Sequence, residues 1–245
     1  MDLQTSRGRR VAFFGGSFDP PHLGHLAVAR AAQTALDLDA VLFAPVGAQP
    51  LKPKGSTAAF IHRLAMTRLA IASEPGFAVS LADAPTASGA PNYTLETLLA
   101  LRAELPPESD LFCLMGADAF AGLKGWHRAA EIPFAAPLIV ASRPGQRLHD
   151  WKTALPEGLS IEAVQAPVRT GLDVEIHSFL LRNVTGDRAP FYLLPGLEIE
   201  ISASEIRDQM RNREQARAGA GDGTPGRELL PSAVLDYICA HGLYR

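Results

Sequence analysis

Val11-Ala12-Phe13-Phe14-Gly15-Gly16-Ser17-Phe18-Asp19-Pro20-Pro21-His22-Leu23-Gly24-His25 opens as a continuous apolar run, breaks on two glycines and passes two prolines before an apolar periodicity of three and four sets in. A continuous apolar run is the pattern of a strand covered on both faces. The glycines let the chain turn sharply at the strand's carboxyl end and approach a ligand closely. The helix that follows, read as Leu23 to Leu36, offers unpaired N–H groups and the positive end of its dipole to whatever occupies the turn. Strand, glycine turn and helix together make a phosphate-binding position. The stretch is neither G-x-G-x-x-G nor G-x-x-x-x-G-K-[ST], so direct reading excludes the dinucleotide fingerprint and the Walker P-loop.

The same alternation continues outward. Residues 41–44, 77–81, 111–115 and 138–141 are short runs dominated by apolar side chains, while residues 59–73 and 94–104 carry them at helical spacing. Strands alternating with amphipathic helices predict an α/β fold, a doubly wound and mostly parallel sheet of the Rossmann-like kind, with ligands at the carboxyl ends of its strands. Residues 191–194 and 198–201 read as one further strand region, and Ser202 opens a helix. Residues 217–227 (RAGAGDGTPGR) read as a Gly-rich mobile loop, and Pro231 begins a last helix that Gly242 ends. The 245 residues are read as a single domain with this small helical C-terminal part.

Composition narrows the function classes. Apolar residues make up 47% and charged residues 20%, with 21 Gly and 19 Pro, the balance of a globular protein rather than a disordered or fibrous one. Lys and Arg total 23 against 26 Asp and Glu, and basic residues nowhere form a block, which argues against a nucleic-acid polymer as partner. No apolar stretch approaches the roughly 18 to 20 residues that span a bilayer, and residues 11–14 are too short for a signal-peptide core, so neither a membrane nor a secretory reading is expected. Cys113 and Cys239 stand far apart in apolar surroundings and read as buried thiols of a cytoplasmic protein. The basic residues are mostly Arg, whose planar fork grips phosphate bidentately, although genome base composition accounts for that bias equally well.

His22 and His25 are three apart and share one face of the first helical turn, where both rings can meet the same anion. Each alone reads equally as a capping or core histidine, and no Cys, His, Asp or Glu cluster stands nearby in sequence to complete a metal site. Asp118 follows a strand end and Gly116, a place for a carboxylate that holds a ribose or for a helix N-cap. Ser202 and Glu205 fit a capping box, and Arg207 sits about one turn into that helix, where guanidinium and helix end can grip the same polyphosphate. Tyr93 and Trp126 read by themselves as half-buried aromatics.

These residues resemble the H-x-G-H nucleotidyltransferases and, among them, the bacterial nicotinate-nucleotide adenylyltransferases. The similarity runs in order through Pro91-Asn92-Tyr93-Thr94 with Glu96-Thr97-Leu98, then Met115-Gly116-Ala117-Asp118, Trp126 and Leu138-Ile139-Val140 with Arg143-Pro144-Gly145. It continues through Ile201-Ser202-Ala203-Ser204-Glu205-Ile206-Arg207 to Gly242-Leu243-Tyr244-Arg245. The resemblance implies adenylyl transfer from ATP to nicotinate mononucleotide, with His22, His25 and Arg207 as catalytic residues. It places Gly15, Gly16, Ser17, Phe18, Gly24, Asp118, Ser202 and Ser204 on ATP and its phosphates, and Lys52, Tyr93, Thr94 and Trp126 on the nicotinate nucleotide. Trp126 stacks on the pyridine ring in that reading, and the backbone around Tyr93 and Thr94 meets its carboxylate. Mg2+ is expected on the substrate phosphates, with no protein metal site. Two positions depart from the family pattern: Ser204 stands for a usual Thr, and Gln49-Pro50-Leu51-Lys52 stands for Pro-Pro-His-Lys, which carries over Lys52 alone. The alternatives are nicotinamide-nucleotide, pantetheine-phosphate or cytidylyl transfer, or a nucleotide-binding regulator without turnover.

Overall fold

The structure, a computed structural model, describes residues 8–48, 55–141, 148–163, 168–169, 175–195, 201–216 and 228–245. Lys52 with its loop, Arg143-Pro144-Gly145, residues 198–200 and the Gly-rich stretch 217–227 lie outside them.

Six strands run parallel in the order β3 (Phe77–Val79), β2 (Ala40–Pro45), β1 (Arg10–Gly16), β4 (Asp110–Gly116), β5 (Leu138–Ala141) and β9 (Arg188–Leu194). Helix α1 (Leu23–Leu36) follows β1, α2 (Phe60–Ile71) follows β2, α3 (Thr94–Glu104) precedes β4, and α4 (Ala117–Ala121) and α5 (Ile132–Ala135) fill the step to β5. The order turns back at β1, since β2 and β3 lie to one side and β4, β5 and β9 to the other. This reversal leaves a crevice outside the carboxyl ends of β1 and β4, the place where open parallel sheets take ligands. Gly15-Gly16 and Gly116 sit at those two ends.

Side chains alternate across the strands, and helices cover both faces, so uninterrupted apolar runs were the correct strand signal. Ala12 and Phe14 of β1 pack with Phe43, Phe112 and Leu114 on the face covered by α1, α2 and α8 (Ser232–His241). Phe13 packs with Leu111, Cys113 and Met115 on the other face, with α3, α4 and α5.

Several expectations are corrected. Beyond β9 the sheet continues antiparallel through β8 (Glu175–Arg182) to β6 (Ser160–Ala163), and β7 (Val168–Arg169) pairs with β8. The sequence reading missed these strands because β8 mixes buried and partly exposed residues and its apolar run, Phe179-Leu180-Leu181, is short. It also missed α6 (Leu148–Ala154). Strand β3 ends at Val79 rather than at residue 81, because the Ser80 hydroxyl accepts the Ala82 N–H (3.2 Å) and turns the chain, leaving Leu81 exposed. Cys113 is a buried thiol, but Cys239 is exposed, lying on the outer face of α8. Asp118 is not an N-cap: Gly116 occupies that position and Asp118 stands in the first turn of α4, exposed to solvent.

Candidate active site

The β1–α1 turn is built on its glycines. A Cβ on Gly15 would stand 2.9 Å from the Phe13 ring, where something must shift, and one on Gly16 3.3 Å from the Phe18 ring, a tight contact. Phe18 adopts φ 47, a left-handed conformation that costs a bulky residue about 1–3 kcal/mol and persists because its ring is locked among Phe14, Phe43 and His25. The Phe18 side chain is therefore core, and only its backbone is placed to meet a ligand.

His22 is the N-cap of α1, and its backbone N–H donates to Nδ1 of His25 at 3.2 Å. With Nδ1 accepting, neutral His25 carries its proton on Nε2. The two rings lie 3.7 Å apart, and Nδ1 of His22, buried, has no hydrogen-bond partner among the described residues. Gly24, between them in sequence, is buried in the first turn of α1. Burial lowers the His22 pKa to about 4 and holds His25 well below the ordinary value, with the His22 charge opposing a second proton. Both are neutral N–H donors at pH 7.

Arg207 arrives from α7 (Ala203–Ala216), whose first intrahelical bond runs from the Ile206 N–H to the Ser202 carbonyl (3.1 Å). Its Nη1 donates to the Asp19 carbonyl at 2.7 Å and its Nη2 to the Ser204 hydroxyl at 3.0 Å, while Nε is buried without a partner. The guanidinium, Ser202 and Ser204 are thereby brought to the loop that carries the histidines. The Asp19 carboxylate, 4% exposed, accepts the Thr57 N–H (2.5 Å), the Ala58 N–H (3.0 Å) and the Tyr244 hydroxyl (2.7 Å). Beneath Ser17, Arg63 is 2% exposed and donates to the carbonyls of Ser17 (2.7 Å), Val46 (2.8 Å) and Ala58 (3.1 Å).

The other wall of the crevice is built around the start of α3. Tyr93 is its N-cap in extended conformation, so the N–H groups of Thr94 and the residues after it head the helix unpaired. The Tyr93 ring lies 4.5 Å from that of His127, and Trp126, half-buried, ends the short helical turn Leu123–Gly125. Asp83 is buried beside Gly15 and accepts the Thr97 hydroxyl, while its carbonyl accepts the Gly47 N–H at 2.7 Å. Burial raises the Asp83 pKa against the opposing Thr97 hydrogen bond. Asn92 ties the two loops together, accepting the Ala48 N–H and donating to the Ala84 carbonyl, each at 3.1 Å.

A cytidylyltransferase-like family model matches residues 13–209 of the chain. A "Probable nicotinate-nucleotide adenylyltransferase" of Stenotrophomonas maltophilia (strain K279a) is 35% identical over 95% of this chain and 96% of its own length. One of the same description from Dechloromonas aromatica (strain RCB) is 37% identical over 96% and 97%. The chain belongs to the nicotinate-nucleotide adenylyltransferase family. The fold agrees: the solved structure of Plasmodium falciparum nicotinic acid mononucleotide adenylyltransferase complexed with NaAD superposes with a TM-score of 0.64, covering 96% of this chain and 97% of that one at 16% identity.

For this member of the nicotinate-nucleotide adenylyltransferase family the buried histidines have a consequence for stability. Their folded pKa lies below the unfolded value near 6.5, so as pH falls the unfolded chain takes up protons first. The stability they permit is fully present above pH 6.5 and is lost as pH falls toward 4. The expected loss from His22 between pH 7 and pH 5 is about 2 kcal/mol, read as a drop in urea unfolding free energy that His22→Ala largely removes. Equal pH dependence in the two proteins would mean that His22 titrates normally.

Asp19, Arg63, Asp83 and Tyr244 received no role in the sequence reading. Only Arg63 left a local signal: it falls on the apolar stripe of α2, where a charged residue has to find buried partners.

Proposed function

We propose that this chain, acting as one nucleotidyltransferase domain in the cytoplasm, transfers the adenylyl group of ATP to nicotinate mononucleotide, giving nicotinate adenine dinucleotide and pyrophosphate. The observation that carries the reading is the pairing of two neutral histidines, their rings 3.7 Å apart, with Arg207 on the turn at the sheet's reversal point. The attacking group is a phosphate monoester, an anion at neutral pH, so it needs no general base. Its oxygen forms a bond to the α-phosphorus of ATP as the bond from that phosphorus to the bridging oxygen of pyrophosphate breaks. Charge moves toward the leaving group, and fixed N–H donors that meet it there lower the barrier. His22 and His25 serve as those donors, while Arg207, Ser202 and Ser204 hold the outer phosphates. In this reading Asp118, in the first turn of α4 after β4, holds the ribose side of the nucleotide.

Among the described residues no group of three His, Cys, Asp or Glu could hold a metal ion. In this reading magnesium arrives on the triphosphate as part of the substrate, where it neutralises phosphate charge. Among the described residues no helix is long and apolar enough to cross a membrane.

The acceptor follows from the start of α3. Backbone N–H groups of Thr94 and its neighbours suit two carboxylate oxygens, and a carboxamide set against them turns an NH2 toward donors. We expect kcat/KM for nicotinate mononucleotide to exceed that for its amide by at least about tenfold. Pyrophosphate release with ATP and each nucleotide measures the ratio, and equal values would overturn the deamido assignment.

A further inference from the structure

The segment Gly242-Leu243-Tyr244-Arg245 has no part in the chemistry above, yet it reaches the floor of the nucleotide site. Helix α8 stops at Gly242, which takes a left-handed conformation (φ 60), and the Leu243 N–H returns to the Ile238 carbonyl at 3.1 Å. The turn sends Tyr244, itself at φ 62, into the core cluster that also holds Phe18 and Leu26, where it is 5% exposed. Phenylalanine would fill that apolar volume as well. A buried phenol is tolerated only where its hydroxyl finds a partner, and here the partner is the buried carboxylate of Asp19. Burial and the Asp19 charge raise the Tyr244 pKa, so the hydroxyl stays a donor throughout the working range.

We propose that Tyr244 and Asp19 form a latch that positions the phosphate loop and Arg207 for ATP, making Tyr244 a positioning residue for a reaction it does not touch. Asp19 lies between Phe18 and His22 and is held at both ends. Its carboxylate is fixed by Tyr244 and by the Thr57 and Ala58 N–H groups, and its carbonyl carries the Arg207 guanidinium. Without the hydroxyl, Oδ1 keeps the Ala58 N–H and Oδ2 the Thr57 N–H, so Asp19 loses one of its three anchors, the one supplied by the C-terminal segment, and the carbonyl on which Arg207 hangs is held less tightly. The effect falls on ATP rather than on the acceptor: Leu95, Leu98 and Trp126 of the acceptor wall pack in the core on the opposite face of the sheet from Tyr244. The proposal rests on the reading that Arg207 and the loop receive the triphosphate.

The test is Tyr244→Phe beside Leu243→Ala, which disturbs packing of the same segment but keeps the hydroxyl. In Tyr244→Phe we expect kcat/KM for ATP and affinity for a non-hydrolysable ATP analogue to fall about tenfold. KM for nicotinate mononucleotide should stay within about twofold, and amide exchange at Thr57 and Ala58 should quicken. Leu243→Ala should lose thermal stability without that ATP-specific loss. Unchanged ATP affinity in Tyr244→Phe, or parallel losses for both substrates in both variants, overturns the latch. Analogue binding needs no acceptor, so a wild-type protein that binds it but leaves nicotinate mononucleotide unused defeats the proposed reaction while the affinity ratio still decides the latch. A wild-type protein that does not bind the analogue defeats both.

Discussion

Alanine at His22 or at His25 is expected to lower kcat for adenylyl transfer by about a hundredfold or more, with the far-UV circular dichroism unchanged. Removing one fixed donor from a site where charge develops costs about 3–4 kcal/mol of transition-state stabilisation. The geometry explains why the full cost applies. The rings are 3.7 Å apart with lowered pKa values, so they meet the phosphates as desolvated N–H dipoles that need no reorganisation. The two variants should differ in one respect. His25 also accepts the His22 N–H, so His25→Ala removes a cap of α1 and should lose about 1 kcal/mol of stability in addition. Steady-state kinetics and urea unfolding on the same preparations check both parts, and near-normal turnover in both variants would return the pair to a capping and packing role.

Arg63→Met is expected to destabilise the protein by about 3–5 kcal/mol, the largest stability effect at any single polar position discussed above. Among the described residues the side chain makes no ion pair. It satisfies three carbonyls from three segments, Ser17 after β1, Val46 after β2 and Ala58 before α2. Methionine fills much of the volume and leaves those acceptors buried without donors, each a penalty of roughly 1–3 kcal/mol that local relaxation shares out. Arg63→Lys should recover part of the loss, because an ammonium keeps the charge but cannot reproduce the planar fork. A loss below about 1 kcal/mol for Arg63→Met, read from denaturant midpoints at constant slope, would mean that water replaces the guanidinium.

Much of the fold was legible because its signals are local. The reading of helix 23–36 coincides with α1, and that of 94–104 with α3, since apolar spacing and flanking turn residues mark a helix within its own length. The five parallel strands nearest the start of the chain were legible for the same reason, four of them as continuous apolar runs and β3 within a longer run that Ser80 interrupts. Strands β6, β7 and β8 were not, because they pair with antiparallel neighbours and β8 mixes buried with partly exposed residues. The histidines and Arg207 were legible as candidates because each stands at the start of a helix that its own neighbours announce.

The sequence by itself determined the turn, the helix starts and the donors placed on them, because each depends on residues within one or two helical turns. Only the tertiary structure decided what holds those donors in place. Arg207 meets the Asp19 carbonyl across 188 residues of chain, and Tyr244 meets the Asp19 carboxylate across 225. Such pairings arise when α2, α7 and α8 are brought together against one face of the sheet, and no local spacing records them. A buried polar residue in a sequence shows that a partner must exist; which partner it finds depends on the closure of the whole chain.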